Sequence, residues 1–384
     1  MKRLQILFLV ALSSSLVLFG CGKDAEETTT PIVEPIIEAQ PESFEENGDT
    51  DEGSDDLDTP PAEGMVRSRL TNEWVAEDVA KTRPIAVMIP NSKTASQYGI
   101  SDASVLYECN VEGSMTRLMG VFEDWSNIEK LGNIRSCRDY YVYWAFEWDA
   151  IYIHYGGPFY IDDIIGRSDT QNINCIEYGN ATYRDTAKNS TDNAFTSTDR
   201  IQSAVSHYGY PLEYRDGYAD EQHYMFASDK SPNTLEEYSD AITAGKVDMS
   251  PAYPVTNCYF EYNEATGLYD RYQHLSGDSN GPHIDLANNK QLSFKNLLVQ
   301  NTYFEVRDQK GYLSFQCHDT TRDGWFFTNG KGIHVTWEKT TDYGATRYYD
   351  DNGNEIKLNT GKTMVCILED GDTFTVDGKT NEAN

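Results

Sequence analysis

The stretch "GNIRSCRDYY", residues 132–141, sets Arg135 and Arg138 on either side of Ser136 and Cys137. Read as the first turn of a helix, it places two cations where the backbone is already partly positive, and that calls for an anion. Free N–H groups together with two guanidinium forks suit a phosphate or a carboxylate. Upstream, "YECNVEGSMTR" supplies an internal alternative. A tight turn at Gly113-Ser114 puts Asn110 opposite Arg117, with Glu108 and Glu112 as diagonal neighbours. The predicted ligand-binding set is therefore Arg135, Ser136, Arg138, Arg117, Glu108 and Glu112. It reads equally well as an oxyanion site and as a network in which the carboxylates neutralise the arginines.

His154 precedes a glycine pair at the end of an apolar strand, where α/β sheets place ligands and where a general base could stand. It is the candidate catalytic residue, although a lone histidine there is more often a hydrogen-bonded structural group. In "GPHID" His283 and Asp285 fall two apart, too few ligands for a metal. "DDNGNE", 350–355, lacks the glycine and the distal glutamate of a calcium loop and reads as a turn. There is no G-x-S-x-G, H-E-x-x-H, P-loop or G-x-G-x-x-G signature. No metal and no cofactor are predicted.

These residues need elements to hold them. "PIAVMI", 84–89, is a continuous apolar run expected of a buried strand. "SVLYECNVE" and "MTRLMGVF" alternate as a hairpin. Ser136 followed by Asp139 resembles a capping box, opening a helix from about Cys137 to Trp148. "AIYIHYGG" is a further strand, "PFYIDDIIG" a short helix, and 196–208 a capped helix. "TNEWVAEDVA" reads as a helical entry capped by Thr71, and 232–250 as a helical connector. From about residue 255, Thr266-Gly267, Lys310-Gly311, Asn329-Gly330, Asn352-Gly353 and Asp377-Gly378 punctuate short runs of Tyr, Phe, Val and Thr, the pattern of an antiparallel β domain.

The ends and the bulk composition say where such a body works. Lys2 and Arg3 followed by the apolar Leu4–Phe19 form a secretory leader ending in "LFGC", the shape of a lipobox in which Cys21 is lipidated. Residues 23–64 are rich in Asp, Glu, Pro, Thr and Ser and read as a disordered tether. The chain of 384 residues carries a net charge of −31 with a pI near 4.4. That excludes nucleic acid, whose phosphates need clustered Lys and Arg, and means that any bound anion must be held by a local arginine focus. The six cysteines after Cys21 fall three in each half with no C-x-x-C spacing, so buried free thiols are expected, with one bridge per half as the alternative. Of the 26 tyrosines and six tryptophans, most are expected in the core.

"RPIAVMI" with Asn91, "YECNVEGSMTRLMGVF", "LGNIRSCRDYYVYWAFEWDAIYIHYGG", "GPHIDLANNKQLSFKNLLVQ" and "TRYYDDNGNEIKLNTGKT" together resemble the YerB-like lipoproteins, bacterial envelope proteins of the 3048 domain of unknown function. The likeness covers roughly residues 70 to 370 and includes Glu112, Gly113, Thr116, Arg117, Gly132, Arg135, Ser136 and Arg138. It departs at Pro90 and Ser92, where the family often has Asp and His, and at Asp192, where a His commonly stands. The resemblance implies an α+β fold, a three-layer mixed α/β N-terminal domain followed by a smaller antiparallel β-rich domain, and supplies no reaction.

The expected order is a signal peptide at 1–20, lipidated cysteine and tether at 21–64, an N-terminal domain at 65–230, a connector at 231–254, a C-terminal domain at 255–370 and a tail at 371–384. The expected location is the extracytoplasmic face of the cell membrane, with the membrane as partner through the N-terminal lipid. The leading function is binding of a cell-wall or lipid-linked anion. The alternatives are an envelope hydrolase working on a phosphodiester or glycan through His154, and a scaffold for a protein partner.

Overall fold

The apolar run beginning at Pro84 becomes strand β1, Ile85–Asn91, whose seven residues are all buried. Its neighbours explain why both of its faces are apolar. Val105–Asn110 (β2) pairs antiparallel with Thr116–Phe122 (β3), and β3 pairs antiparallel with one side of β1. Ile151–His154 (β4) lies parallel on its other side, followed by Asn172–Asn174 (β5), parallel to β4. Ile85, Val87 and Ile89 enter one core and Ala86 and Met88 the other, the period-two alternation of a strand. Each fully buried aliphatic side chain contributes about 1.5–3 kcal/mol.

Two helices cover this part of the sheet. Asp139–Phe146 (α1) packs Tyr140, Tyr141 and Trp144 against Met88, Tyr107, Cys109 and Tyr152 on one face. Thr198–Tyr208 (α2) lays Ile201, Ala204 and Val205 on the opposite face and stops at Gly209, whose φ of 68° suits the left-handed position after a helix.

In the second half, Tyr259–Asn263 (β6) and Leu268–His274 (β7) form a hairpin about Thr266-Gly267. Asn296–Thr302 (β8), Asp319–Thr328 (β9) and Lys331–Lys339 (β10) follow, the last two joined through Asn329-Gly330. Thr363–Glu369 (β11) precedes Thr373–Val376 (β12), which turns at Asp377-Gly378 into residues 379–382. The other turn signals, Lys310-Gly311 and Asn352-Gly353, also fall at connections between strands. In "DDNGNE" the Asp350 carboxylate accepts from the backbone N–H groups of Asn352 and Asn354, so that stretch is a turn.

Strand β11 runs parallel both to β8 and to β2. It joins the two halves into one eleven-stranded sheet, in which β10, β9, β8, β11, β2, β3, β1, β4 and β5 are successive neighbours. A second, seven-stranded sheet built on β7, β6 and β12 packs Phe260, Tyr269 and Phe374 against Leu297, Val299, Phe327 and Cys366 of the large one. The architecture is α+β in three layers: α1, the large sheet, then α2 beside the second sheet. Leu57–Asn384 forms one compact unit.

The structure, a computed structural model, describes residues 59–187, 192–219, 222–274 and 280–382. The leader, Cys21 and nearly all of the tether lie outside the described residues. All six later cysteines are buried free thiols.

Four local expectations fail. Residues 232–250 carry the short strands 242–243 and 246–248, recruited by pairing with β10, β6 and β12. In "TNEWVAEDVA" the helix is only Glu77–Lys81, with Ala76 rather than Thr71 at its cap, because Trp74–Ala76 pairs as a strand with Met65–Arg67. The third and fourth, in the hairpin and at the start of α1, bear on the site.

Candidate functional site

The β2–β3 connection is five residues long, Val111 to Met115, rather than a two-residue turn. Gly113 and Ser114 both take positive φ, 76° and 57°, and Val111 N–H closes the loop on the Met115 carbonyl at 2.7 Å. The register therefore sets Cys109 opposite Arg117, and Glu108 opposite Leu118. A one-residue change of register exchanges faces. Arg117 stands with Cys109 on the α1 face, while Glu108 points to the other.

Residues 134–137 are extended, not helical. They wedge between the C-terminal ends of the parallel strands β1 and β4: Arg135 N–H donates to the Met88 carbonyl, and Tyr155 N–H to the Arg135 carbonyl, both at 2.9 Å. Cys137 N–H reaches the Gly156 carbonyl at 2.8 Å. Helix α1 starts only at Asp139, with Arg138 at its N-cap and no side-chain cap bond. The Ser136–Asp139 capping box does not form. Asp139 pairs instead with Arg307.

The predicted cluster thus separates into three. Arg138 is held bidentately by Glu112 through Nε and Nη2, and its side chain is only 5% exposed. Burial lifts the Glu112 carboxyl, but the Arg138 hydrogen bond and charge outweigh it and hold it below the usual range. Arg117 lies 3.9 Å from the same carboxylate and donates to the Ser136 carbonyl at 2.6 Å. Burial, then the neighbouring Arg138, lower it to about 10. These two arginines are committed internally.

Arg135 goes elsewhere. Its Nη2 is 3.1 Å from Asp192 Oδ1, and its side chain remains 32% exposed. Polar groups gather at the strand ends and around Asp192. Asn91 Nδ2 donates to Glu108 Oε1 and Thr116 Oγ1, Asn133 Nδ2 to the Asp192 carbonyl, and Thr94 Oγ1 to Asp192 Oδ2. The Oδ1 atoms of Asn91 and Asn133 are buried without a hydrogen bond among the described residues. Asn133 carried no signal in the sequence.

Glu108 is the clearest departure from expectation. It is fully buried against fully buried Arg271, with Oε2 and Nη2 2.7 Å apart. Arg271 also donates to Gln273 Oε1 and to His283 Nδ1, and His283 contacts Gln97, whose amide donates to the Pro90 carbonyl. A closed polar circuit thus begins and ends on β1. Burial and then Arg271 hold the His283 imidazole well below its ordinary value, so it stays a neutral acceptor beside the guanidinium. Asp285 caps the loop at Gly99 and Ser101. "GPHID" is a joint between the halves. The alternation of "LYDRYQH" puts Arg271 in line with inward-facing Tyr269 and Gln273, a signal that marks it as buried.

His154 is fully buried at the end of β4. Nδ1 meets the Gly156 carbonyl at 2.9 Å and Nε2 meets Asn172 Oδ1 at 3.1 Å. Burial lowers its pKa. With both ring nitrogens engaged, it shapes the turn after β4.

Comparison with known proteins agrees with this architecture. Residues 70–211 match the domain described as "Protein of unknown function (DUF3048) N-terminal domain", and 248–365 match its C-terminal domain. The protein described as "Putative lipoprotein YerB" of Bacillus subtilis (strain 168) is 24% identical over 321 residues, 83% of this chain and 90% of its own. The crystal structure of YerB protein from Bacillus subtilis superposes with a TM-score of 0.65 at 22% identity, covering 79% of this chain and 96% of that one.

Proposed function

The chain belongs to the YerB-like, DUF3048 family, and from that footing we propose that it is a lipid-anchored extracytoplasmic protein that binds an anionic envelope ligand on Arg135. The lipobox cysteine Cys21 supplies the anchor and the acidic segment after it the reach. The supporting observation is the position of Arg135. Of the three arginines singled out, it alone keeps an open guanidinium, at the C-terminal ends of parallel strands, where α/β sheets hold ligands. Asp192 engages one Nη and leaves the other Nη and Nε to grip a phosphate or carboxylate. Ser136 flanks it in sequence, and Thr94 stands on the other oxygen of Asp192.

The test is calorimetric titration of the full-length protein in detergent with glycerol phosphate, chosen as an anion bearing hydroxyls. Arg135→Ala is expected to abolish saturable binding and Arg138→Ala to leave it in place. Equal binding by Arg135→Ala and the parent protein refutes the assignment. The hydrolase reading is less well supported, because the His154 imidazole is fully buried, with Nδ1 against the Gly156 carbonyl and Nε2 against the Asn172 side chain, and has no face open to a substrate.

A further inference from the structure

A second cavity lies away from Arg135, between the β2–β3 loop and the C-terminal half. It has a volume of about 350 Å³, and its lining includes Asn110, Glu369 and Asp372. Asn110 is 5% exposed. Its Nδ2 donates to Glu369 Oε1 at 3.1 Å, which fixes the amide orientation and turns Oδ1 away from that carboxylate. That Oδ1 has no hydrogen-bond partner among the described residues. Asp372 Oδ2 accepts the Glu369 N–H at 3.2 Å, so the two carboxyl groups stand together at the end of β11.

Neither carboxylate has an ion-pair partner among the described residues. The nearby charges are already used: Asp370 pairs with Arg322, Glu112 with Arg138, and Arg307 with Asp139. The cost of two half-buried, uncompensated carboxylates shows in their acidity. Burial pushes Asp372 up to about 6, and burial followed by the Asp372 charge raises Glu369. Part of the remaining wall is apolar, with Ala252, Phe304, Val306 and Leu313, beside Ser114 and the glycines Gly113 and Gly311.

From this geometry we infer that the cavity is a binding site for a primary ammonium group carried on an apolar stem, as in a lysine-type side chain. An ammonium carries three N–H donors and no acceptor. The cavity offers two carboxylates with no cation beside them, and the unpartnered Asn110 Oδ1 belongs to a residue of the same lining. The incoming charge supplies the counter-ion the carboxylates lack, and the methylenes of the stem lie along the apolar wall. A calcium ion, which wants six to eight oxygens, is a poorer fit to three side chains. The site is independent of Arg135 and stands whether or not an anion binds there.

The experiment is calorimetric titration of the full-length protein in detergent with n-butylammonium chloride, and in parallel with n-butanol and with calcium chloride. Saturable binding of butylammonium and none of butanol is expected. Glu369→Gln and Asp372→Asn should each weaken it about tenfold, the loss of one charge-assisted hydrogen bond, and Arg135→Ala should leave it unchanged. Both acidic-site variants should unfold at or above the parent temperature, since each removes a repulsion, so failure to fold cannot imitate loss of the site. Absence of butylammonium saturation, or affinity unchanged in Glu369→Gln, overturns the inference. So does calcium binding that Glu369→Gln abolishes while butylammonium does not bind.

Discussion

Replacing Glu108 by glutamine tests the joint between the halves. The parent carboxylate is fully buried and accepts from Arg271 at 2.7 Å, Asn91 at 2.8 Å and Thr116 at 2.7 Å. At an effective dielectric near 20 the Arg271 attraction amounts to about 4–6 kcal/mol, and removing both ions from water costs several kcal/mol each. The intact pair is thus close to break-even against an apolar replacement. Deleting one charge is different, because Arg271 stays buried without a counter-ion, and its Nε already lacks a partner among the described residues. The expected loss for Glu108→Gln is about 3–5 kcal/mol, a large share of the roughly 5–15 kcal/mol that holds a domain folded. Glu108→Gln combined with Arg271→Met should recover part of it, giving a coupling of about 2 kcal/mol in a double-mutant cycle. Equilibrium denaturant unfolding measures this, and a change of slope would report loss of cooperativity between the halves. A cost below about 1 kcal/mol for the single variant, or strict additivity in the cycle, refutes the reasoning.

His154, His223 and His283 are all buried with pKa values below the ordinary histidine range, burial being the first cause in each. The unfolded chain therefore binds protons below pH ~6.5 that the folded chain refuses, and stability falls as pH drops, by up to about 1.4 kcal/mol per pH unit for each imidazole. Raised Glu369 and Asp372 oppose this, so a net loss of at least about 1 kcal/mol between pH 7 and 5.5 is expected by denaturant titration; constant or rising stability contradicts it. Glu112, held low by Arg138, contributes stability above its unfolded pKa that disappears as pH falls through its folded value, so Glu112→Gln should flatten the acid limb of the same curve. Gly132→Ala puts a Cβ 2.8 Å from the Ala194 carbonyl oxygen at a φ of 135°, and should cost about 1–3 kcal/mol in thermal unfolding. A neutral effect would mean the pairing of 131–132 with 195–196 yields easily.

Local signals in this chain are reliable where chemistry is local. The run at Pro84 and the glycine turns of the second half are each where side-chain type and short spacing put them. The Arg117–Glu108 arrangement fails because loop length sets register, and the sequence "NVEGSM" is compatible with either a two-residue or a five-residue connection. Arg135, Ser136 and Arg138 fail as a helix start because the ends of β1 and β4 offer backbone partners that an extended segment can meet. The Glu108–Arg271 pair spans 163 positions, and no pattern within either strand names its partner. The pairing of Asp192 with Arg135 joins positions 57 apart and becomes visible only in three dimensions.

The place of β11 has a consequence for how the chain is made. Its pairing with β2 joins Val105 to Thr363, across most of the folded sequence, and it also supplies the neighbour of β8. Until it is synthesised, β2 and β8 each present a row of unpaired backbone groups, the kind of edge that invites pairing with another chain. A nascent chain halted before residue 363 holds two incomplete sheets rather than one finished half. Closure waits for the last long strand, and truncations from the C-terminal end should be far less tolerated than changes of equal length in the acidic segment at the other.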